Sequence, residues 1–442
     1  MRNWKRLHLR KDTTGFVKNI HNFCELKLIE LYQLILRYQL NKLFKRLKKH
    51  TKTGILYTAN VIKYLTFKIQ HKNLRDLYMS KLLSQGGFGC TFYPGVTCDS
   101  KTVYSDKTIT KIQQKNTQSE NESTVGSIVR DIPSYALFFL PVINECPIDL
   151  RKISQKEISK CKIIKNYKDE YVAMEVPYMK EIRFTDMIKI KTAKDIIITV
   201  IESYKYLLMA LEKLQQVNVV HFDLKLDNIL FNEITYDPRI IDFGISIPIK
   251  NLTVTNLRNY FYRYVPEYYV WCVDVHIICF LIHETKNTLT NEDVETIATL
   301  YVSNNRVLEF FPREFSSQYL DMCITHLKTY VGKPSSTLIW ELIGHSHTWD
   351  NYSLSVMYLR MITLLFPKNN SKNKFLNLFG ELLVMNIHPD PKQRLITSET
   401  GKKFYNMFYM DGDVESYLTI ANQFEQEKSA ITENITTQLY TI

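Results

Sequence analysis

Residues 219–230 constrain the fold of this chain more than any other stretch. They read Val-Val-His-Phe-Asp-Leu-Lys-Leu-Asp-Asn-Ile-Leu, so that two apolar pairs bracket a polar cluster. Apolar flanks of this kind hold a loop against a core and fix its polar side chains in position. Phosphoryl transfer needs a carboxylate for the incoming hydroxyl, a cation for the moving phosphoryl group and an amide oxygen for Mg²⁺. Asp223, Lys225 and Asn228 supply these three groups, whereas a plain polar turn between two strands would impose no particular order.

A second motif lies downstream and places Asp242 fourteen residues after Asn228. Arg239-Ile-Ile-Asp-Phe-Gly244 is an apolar strand that ends in Asp-Phe-Gly. Asp242 at the strand end is suited to chelate Mg²⁺ that bridges the ATP phosphates, while Phe243 packs inward and Gly244 lets the chain turn. With both motifs in this order, the sequence resembles the protein kinase superfamily. The catalytic loop is similar to His-Arg-Asp-x-Lys-x-x-Asn, with Phe222 in the place of the Arg.

A glycine-rich stretch upstream resembles the loop with which the family covers the ATP phosphates. Residues 82–92, Leu-Leu-Ser-Gln-Gly-Gly-Phe-Gly-Cys-Thr-Phe, are similar to Gly-x-Gly-x-Phe-Gly-x-Val, with Thr91 at the Val position and a Ser at the first Gly position. Glycines let backbone N–H groups approach phosphates without an intervening side chain. The resemblance implies that the nucleotide is bound by Ser84, Gln85, Gly86, Gly87, Phe88 and Gly89.

The next strand, residues 107–113, alternates apolar and polar side chains. Lys111 occupies the place of the Lys in the family's Val-Ala-Ile-Lys, which implies contact with the α- and β-phosphates. Its carboxylate partner is expected on the following helix, where Glu120 and Glu122 both occur and Glu122 is favoured.

Residues 171–177, Tyr-Val-Ala-Met-Glu-Val-Pro, resemble the strand and hinge that meet adenine. Glu175 and Val176 are expected at the nucleotide, with Met174 at the rear of the pocket. An ordinary apolar strand in a sheet would show the same pattern.

Three later motifs of the resemblance are structural rather than catalytic. Val265-Pro-Glu267 resembles the Ala-Pro-Glu that closes the activation segment, and Asp274 matches the Asp that braces the catalytic-loop backbone. His-Pro-Asp-Pro-Lys-Gln-Arg394 resembles the family's late Asp-Pro-x-x-Arg, whose Arg commonly pairs with the Glu of the Pro-Glu motif. We therefore expect a buried ion pair between Arg394 and Glu267.

The resemblance implies an α+β, bilobal protein-kinase-like fold with a β-rich N-lobe and a mainly helical C-lobe. The N-lobe is predicted over residues 77–176 and the C-lobe over 177–404. The spacing before the last motif exceeds what the family usually needs, so inserted helices are expected at about 285–373. A basic helical extension is predicted over residues 1–76, and residues 405–442 are interpreted as a C-terminal tail.

Charge is distributed unevenly along the 442 residues. The whole chain has a net charge of +12, but residues 1–80 hold 18 basic and 4 acidic side chains, a net of +14. Apolar residues at three- and four-residue steps between Leu36 and Leu47 predict an amphipathic helix with a cationic end. Such a face attracts the phosphates of a membrane or of nucleic acid, although it is equally typical of a solvated face on a packed helix.

The eight cysteines are scattered and include no Cys-x-x-Cys pair. This spacing argues against a zinc site and a disulfide framework and favours a reducing compartment. No apolar run approaches the roughly 20 residues of a transmembrane segment, and the start Met-Arg-Asn-Trp-Lys lacks a signal-peptide core. An intracellular, cytoplasmic protein is expected, in the host cytoplasm or the virion if the chain is viral.

The resemblance covers roughly residues 78–400 and implies transfer of the γ-phosphoryl group of ATP to protein substrates, with ATP and Mg²⁺ as cofactors. It assigns Asp223 and Lys225 to catalysis, and Asn228 and Asp242 to the metal. A Lys two residues after the catalytic Asp is the pattern of members directed to Ser or Thr. The glycine-rich stretch and the Lys111 strand are similar to kinases of large cytoplasmic DNA viruses.

Two alternatives stay open at the level of sequence. Aminoglycoside- and choline-type phosphotransferases share His-x-Asp-x-x-x-x-Asn, but they lack the peptide-binding platform to which Lys225, Pro266-Glu267 and Arg394 belong. A pseudokinase that serves as a scaffold is the second alternative, although every residue needed for transfer is present.

Overall fold

The computed structural model describes residues 80–87, 89–96, 98, 105–366, 373–407 and 414–438. The predicted helical extension over residues 1–76, the basic stretch to which it belongs, and Phe88 of the glycine-rich loop lie outside these described residues.

Five antiparallel strands form the sheet of the first lobe, in the order β1-β2-β3-β5-β4. Strand β5, which lies between β3 and β4, is buried along almost its whole length. Helix α1 follows β3 and is capped by Asn116, whose side chain accepts hydrogen bonds from the N–H groups of Gln118 and Ser119. The elements of this lobe are β1 Lys81–Gln85, β2 Gly89–Tyr93, β3 Thr108–Gln114, α1 Thr117–Arg130, β4 Asn144–Pro147, α2 Gln155–Ile158 and β5 Tyr171–Pro177.

Two disulfide bonds cross-link this lobe, which corrects the expectation that the scattered cysteines form no disulfide framework. Cys90 on β2 is bonded to Cys161, and Cys98 is bonded to Cys146 on β4. The bonded residues are 71 and 48 positions apart in sequence. Spacing along the chain does not reveal such pairs, because the tertiary fold and not sequence proximity brings the two sulfurs together.

The second lobe is mainly helical and is built around α10, in which fifteen of the seventeen residues are buried. A helix that is buried on every side belongs to the core of a domain. The helices of this lobe are α3 Phe184–Ile190, α4 Ala193–Gln216, α5 Leu257–Tyr260, α6 Val273–His283, α7 Asn291–Ser303, α8 Arg313–Lys328, α9 Ser335–Ile343, α10 Trp349–Leu365, α11 Lys374–Asn386, α12 Thr397–Tyr405 and α13 Val414–Gln438.

Two small sheets are formed by five short strands, of which β6 precedes α3 in the sequence and the other four lie between α4 and α5. β6, β8 and β9 form one antiparallel sheet, and β10 pairs with β7. The strands are β6 Glu181–Ile182, β7 Val219–Val220, β8 Ile229–Asn232, β9 Pro238–Ile240 and β10 Ile247–Pro248. The predicted bilobal fold, with a β-rich first lobe and a mainly helical second lobe, is confirmed.

Helices α7, α8 and α9 lie within the segment that was predicted to be inserted, 285–373. The same segment also contains α10, which is a core element rather than an addition to the surface. The segment predicted as a tail contains the long helix α13, whose Ile420, Phe424 and Ile431 are buried. No helix within the described ranges is both long enough and apolar enough to cross a membrane.

The predicted ion pair between Arg394 and Glu267 is wrong. The Arg394 guanidinium instead binds the carboxylate of Asp274 through two bonds, Nη1 to Oδ2 at 2.9 Å and Nη2 to Oδ1 at 3.0 Å. Both side chains are only 1% exposed, whereas Glu267 is exposed to solvent. Asp274 takes this role because it lies in the buried first turn of α6, where a guanidinium without water needs a charged partner.

Candidate active site

The catalytic-loop backbone is held by Asp350, at the start of α10. Its carboxylate accepts hydrogen bonds from the N–H groups of His221 at 2.7 Å and Phe222 at 3.0 Å. This task was expected of Asp274, which is instead engaged by Arg394 and by the Trp349 indole N–H. The local sequence does not distinguish the two residues, because each is an Asp in the first turn of a largely buried helix.

His221 links the catalytic loop to the strand that ends in Asp-Phe-Gly. Its Nε2 donates to the carbonyl of Ile241 at 2.9 Å, and its Nδ1 accepts from the N–H of Asp223 at 3.3 Å. The two bonds together place the imidazole hydrogen on Nε2. A side chain that is completely buried thus fixes both ends of the site relative to each other.

Both carboxylate oxygens of Asp223 are bound by protein donors. The Asn228 amide nitrogen donates to Oδ2 at 2.9 Å and to the Asp223 carbonyl at 2.8 Å. The Lys225 ammonium lies 3.1 Å from Oδ1, and the hydroxyl of Tyr268 donates to the same oxygen. Burial, reinforced by the Asp223 charge, raises the pKa of Tyr268 well above its ordinary value, so this phenol stays a donor. Sequence reasoning did not single out Tyr268.

Lys111 lies between two carboxylates at the boundary of the two lobes. Its Nζ is 2.9 and 2.8 Å from the Glu122 oxygens and 2.9 Å from Asp242 Oδ1. Burial disfavours the ammonium, but the two carboxylates outweigh it and raise the Lys111 pKa. Burial likewise works against the Asp242 carboxylate, and Lys111 overcomes it, so the Asp242 pKa is lowered. Glu122 therefore makes the contact that was expected of it, whereas Glu120 is exposed on the other side of α1.

The two residues predicted to hold Mg²⁺ are neighbours through strand pairing. The N–H of Ile241 donates to the carbonyl of Asn228 at 3.0 Å, which brings Asp242 beside it. Both hydrogens of the Asn228 amide are committed to Asp223, so its Oδ1 is directed away from that residue. A carboxylate and an amide oxygen fit Mg²⁺, which takes one or two protein ligands and completes its shell with water and phosphate oxygens. Accordingly, no cluster of three or more His, Cys, Asp and Glu among the described residues could hold a metal without other ligands.

The glycine-rich loop connects β1 and β2, and Ser84 and Gln85 are its exposed first residues. Gly86 and Gly87 lie at the turn, where an added Cβ would meet no atom within 4 Å. A Cβ on Gly89 would lie 2.6 Å from the Ile112 carbonyl oxygen, so the sheet itself requires this glycine. At Gly86 and Gly87 the backbone is therefore not covered by other described atoms where a side chain would begin.

The predicted hinge residues Glu175 and Val176 lie inside β5. The carbonyl of Glu175 accepts a hydrogen bond from the N–H of Ile143 at 2.8 Å. Its carboxylate accepts one from the N–H of Cys98. The Glu175 groups are therefore used by the sheet, while Met174 is completely buried behind the strand.

The activation segment is held against the catalytic loop by aromatic packing. Phe222 stacks on Trp271 with 4.7 Å between ring centroids and contacts Phe261 edge-on at 5.7 Å. Phe222 also has a positive φ of 68°, which is strained for a bulky residue and persists only when the surroundings enforce it. The Trp271 indole N–H donates to the Phe222 carbonyl at 2.7 Å and supplies part of that enforcement.

Comparison with known proteins gives one family. Residues 78–268 match the family model described as the protein kinase domain. None of the curated proteins matches the chain. Among solved structures, the chain is similar to one described as the autoinhibited serine kinase domain of the giant muscle protein titin, with 14% identity and a TM-score of 0.39 over 79% of this chain and 87% of that one.

Proposed function

We propose that this chain is an ATP-dependent serine/threonine protein kinase. The match to the protein kinase domain and the bilobal fold support the coarser assignment to protein kinases. The observation that carries the finer proposal is the meeting of Lys111, Glu122 and Asp242 beside a loop that presents Asp223 and Lys225. Lys225 two residues after Asp223 favours Ser or Thr as the acceptor.

Asp223 is the group that receives the incoming hydroxyl and then its proton. The acceptor must come within about 2.6–3.2 Å of a carboxylate oxygen, so the Tyr268 hydroxyl gives up part of its bond to Oδ1 when substrate binds. Lys225, now 3.1 Å from that oxygen, is close enough to turn towards the phosphoryl group. Lys111 steadies the negative charge of the phosphates from the side of the first lobe.

Asp242 and Asn228 would hold Mg²⁺ through a carboxylate oxygen and the amide Oδ1. Bound with ATP, the metal supplies neutralisation of the phosphate charge. Lys111 keeps Asp242 ionised, because it lowers the pKa of that carboxyl group. The contact with Lys111 thus favours the charged form of this ligand.

We assign the contact with adenine to backbone groups that begin two residues after Glu175. Main-chain groups alternate in direction along a strand, and the N–H of Tyr178 points towards β3, where it donates to the Lys107 carbonyl at 2.8 Å. The carbonyl of Pro177 and the N–H of Met179 are therefore the next backbone groups that point to the same side as the Glu175 carbonyl. They offer the acceptor and donor that an adenine edge requires.

The narrower parts of the proposal rest on sequence alone. The stretch from Ser84 to Gly95 supports a viral kinase. An intracellular location, in the host cytoplasm or the virion, is proposed on that resemblance and not on the cysteines, since four of them form disulfide bonds. The extension over residues 1–80 is proposed to bind an anionic membrane or nucleic acid.

Transfer of label from γ-labelled ATP tests the function. We expect label on Ser or Thr of a protein mixture and none on choline or an aminoglycoside. Asp223→Asn keeps the shape of the side chain and removes its charge, so the rate should fall by roughly a hundredfold to ten-thousandfold with nucleotide affinity unchanged. Asp321→Asn, an exposed carboxylate on α8, serves as the matched control.

Two results would overturn the proposal. Label on the small alcohols alone would indicate a small-molecule phosphotransferase. Binding of ATP without transfer to any acceptor would indicate a pseudokinase.

A further inference from the structure

We propose that Asn121 is a positioning residue that latches helix α1 to the activation segment through its neutral amide. The inference rests on the proposed kinase function and concerns how its active arrangement is maintained. Asn121 precedes Glu122, the residue whose carboxylate contacts Lys111. No motif in the sequence drew attention to it.

The Asn121 amide is bonded on both sides. Its Nδ2 donates to the carbonyl of Gly244 at 3.2 Å and to the carbonyl of Ser246 at 2.9 Å. Its Oδ1 accepts from the hydroxyl of Tyr260 at 3.3 Å. One side chain of the first lobe therefore joins both the start and the middle of the activation segment.

The residues that Asn121 holds lie directly beside the Lys111 cluster. An added Cβ on Gly244 would lie 3.3 Å from Glu122 Oε2 and 3.4 Å from Asp242 Oδ1. The chain at Gly244 therefore passes close to both carboxylates, and a shift of Gly244 towards them would crowd one or the other. By fixing the Gly244 and Ser246 carbonyls, the amide fixes the distance between α1 and Asp242, and with it the Lys111 contacts.

A neutral latch suits a chain that has no cation next to its catalytic Asp with which to bind a phosphorylated residue. Phe222 occupies that place, and its ring is 2% exposed in an aromatic cluster. Such a ring cannot form a charge-assisted hydrogen bond with a phosphorylated residue. The bonds of Asn121 need no modification, so they connect the two lobes in the unmodified protein.

Substitution of Asn121 tests the latch. Asn121→Asp keeps the shape and loses both donated bonds, and Asn121→Ala loses all three. We expect kcat for peptide phosphorylation to fall at least tenfold, about 1.4 kcal/mol in the barrier, while the KM for ATP changes less than about threefold. The melting temperature should stay within about 2 °C of the unsubstituted protein, because Asn121 is only partly buried.

The matched control is Gln118→Ala. Gln118 is another amide on the same helix, and its Nε2 donates to the exposed Tyr262 hydroxyl at 3.3 Å. Amide hydrogen exchange across residues 244–262 should accelerate in both Asn121 variants and stay unchanged in the control. Tyr260→Phe should cause a smaller loss, which disappears when it is combined with Asn121→Ala, because the bond it removes is already gone.

The latch is overturned if both Asn121 variants keep kcat within about twofold and exchange at residues 244–262 is unchanged. A general loss of melting temperature with exchange raised throughout the protein would also overturn it, since that outcome indicates a merely structural role. Hydrogen exchange requires no catalysis. An inactive unsubstituted protein would therefore refute the proposed function while the exchange result still decides the latch.

Discussion

Arg394 and Asp274 show how much a single buried contact contributes. Each side chain is 1% exposed, and removal of one partner from a buried pair leaves a charge that costs about 3–5 kcal/mol. We expect Asp274→Asn to lower the free energy of unfolding by about that amount, whereas Glu267→Gln at the surface should change it by less than about 0.5 kcal/mol. Urea denaturation of the two variants measures the difference. Equal losses would contradict the pairing described above.

His276 should make the stability of the protein dependent on pH. It lies among the rings of Tyr264, Trp271 and Tyr301, and burial lowers its pKa to about 4. In the unfolded chain the imidazole takes up a proton below about pH 6.5. The unfolded state thus binds more protons between these two values, and the free energy of unfolding falls as the pH falls, by up to about 3 kcal/mol.

The measurement is urea denaturation at about pH 7 and about pH 4.5, on either side of most of this change. His276→Phe should show less of the acid-induced loss than the unsubstituted protein. The exposed His283 gives the control, because His283→Phe should leave the pH dependence as it was. The same loss in all three proteins would show that other groups, carboxylates included, account for it.

Residues in short fixed patterns could be named from the sequence, and residues that act from a distance could not. Asp223, Lys225 and Asn228 lie within six positions, so spacing alone suggests that they share a site. Asp350 reaches the catalytic loop across 129 positions, and Tyr268 reaches Asp223 across 45. Such contacts depend on how helices pack, which a local pattern does not contain.

At the scale of elements, the activation segment should hold its position without phosphorylation. Phe261 is completely buried against Phe222 and Trp349, so packing rather than a phosphate fixes the segment. We expect joint Thr253→Ala and Thr255→Ala substitution, or phosphatase treatment, to change the rate less than about threefold, roughly 0.6 kcal/mol.

Phe222→Ala provides the comparison, because it removes the ring on which the segment packs and should reduce the rate far more. A hundredfold drop on dephosphorylation would refute the prediction. It would point to another cation in the segment, Arg258 or Arg263, as the group that reads a phosphate.

The first lobe should depend on its disulfide bonds. The bond between Cys90 and Cys161 joins β2 to the chain after α2, and the N–H of Leu82 donates to Glu157 Oε2 on α2 at 3.1 Å. Closing a loop of 71 residues restricts the unfolded chain by about 4 kcal/mol in the chain-entropy model. We expect a reducing agent to lower the melting temperature of the protein.

A variant with Ala at the four bonded cysteines, Cys90, Cys98, Cys146 and Cys161, is the control for that experiment. It should melt at the lower temperature and be insensitive to the reducing agent. A melting temperature that reduction leaves unchanged in the unsubstituted protein would show that the bonds contribute no stability.

For the whole molecule, the motif order was enough to predict two lobes and their composition. It could not separate core from insertion between residues 285 and 373, because α7 to α10 are all amphipathic or apolar helices and only packing shows that α10 is central. The disulfide pairs were not predicted for the same reason, since the two cysteines of each pair lie far apart in sequence and meet only in the folded chain. Sequence therefore indicated which residues lie together at the candidate site better than it indicated the residues that hold them there.

The extension accounts for the positive charge of the molecule, and its removal should abolish binding to anionic surfaces. Residues 1–80 carry a net charge of +14 against +12 for the whole chain, so the remainder carries −2. We expect deletion of residues 1–76 to leave peptide phosphorylation intact and to abolish binding to anionic vesicles or to DNA. Binding by the full chain should weaken steeply with salt, because salt screens the attraction between charges and reduces the gain from released counterions.

A full-length variant with Gln at the five cations between Lys42 and Lys49 separates charge from chain length. It should bind weakly, with a shallower salt dependence, and phosphorylate peptides normally. Neutral vesicles should bind neither protein, and preference for vesicles or for DNA identifies the surface. Loss of activity together with solubility on deletion would contradict the tether, because it would show that the extension is part of the catalytic fold.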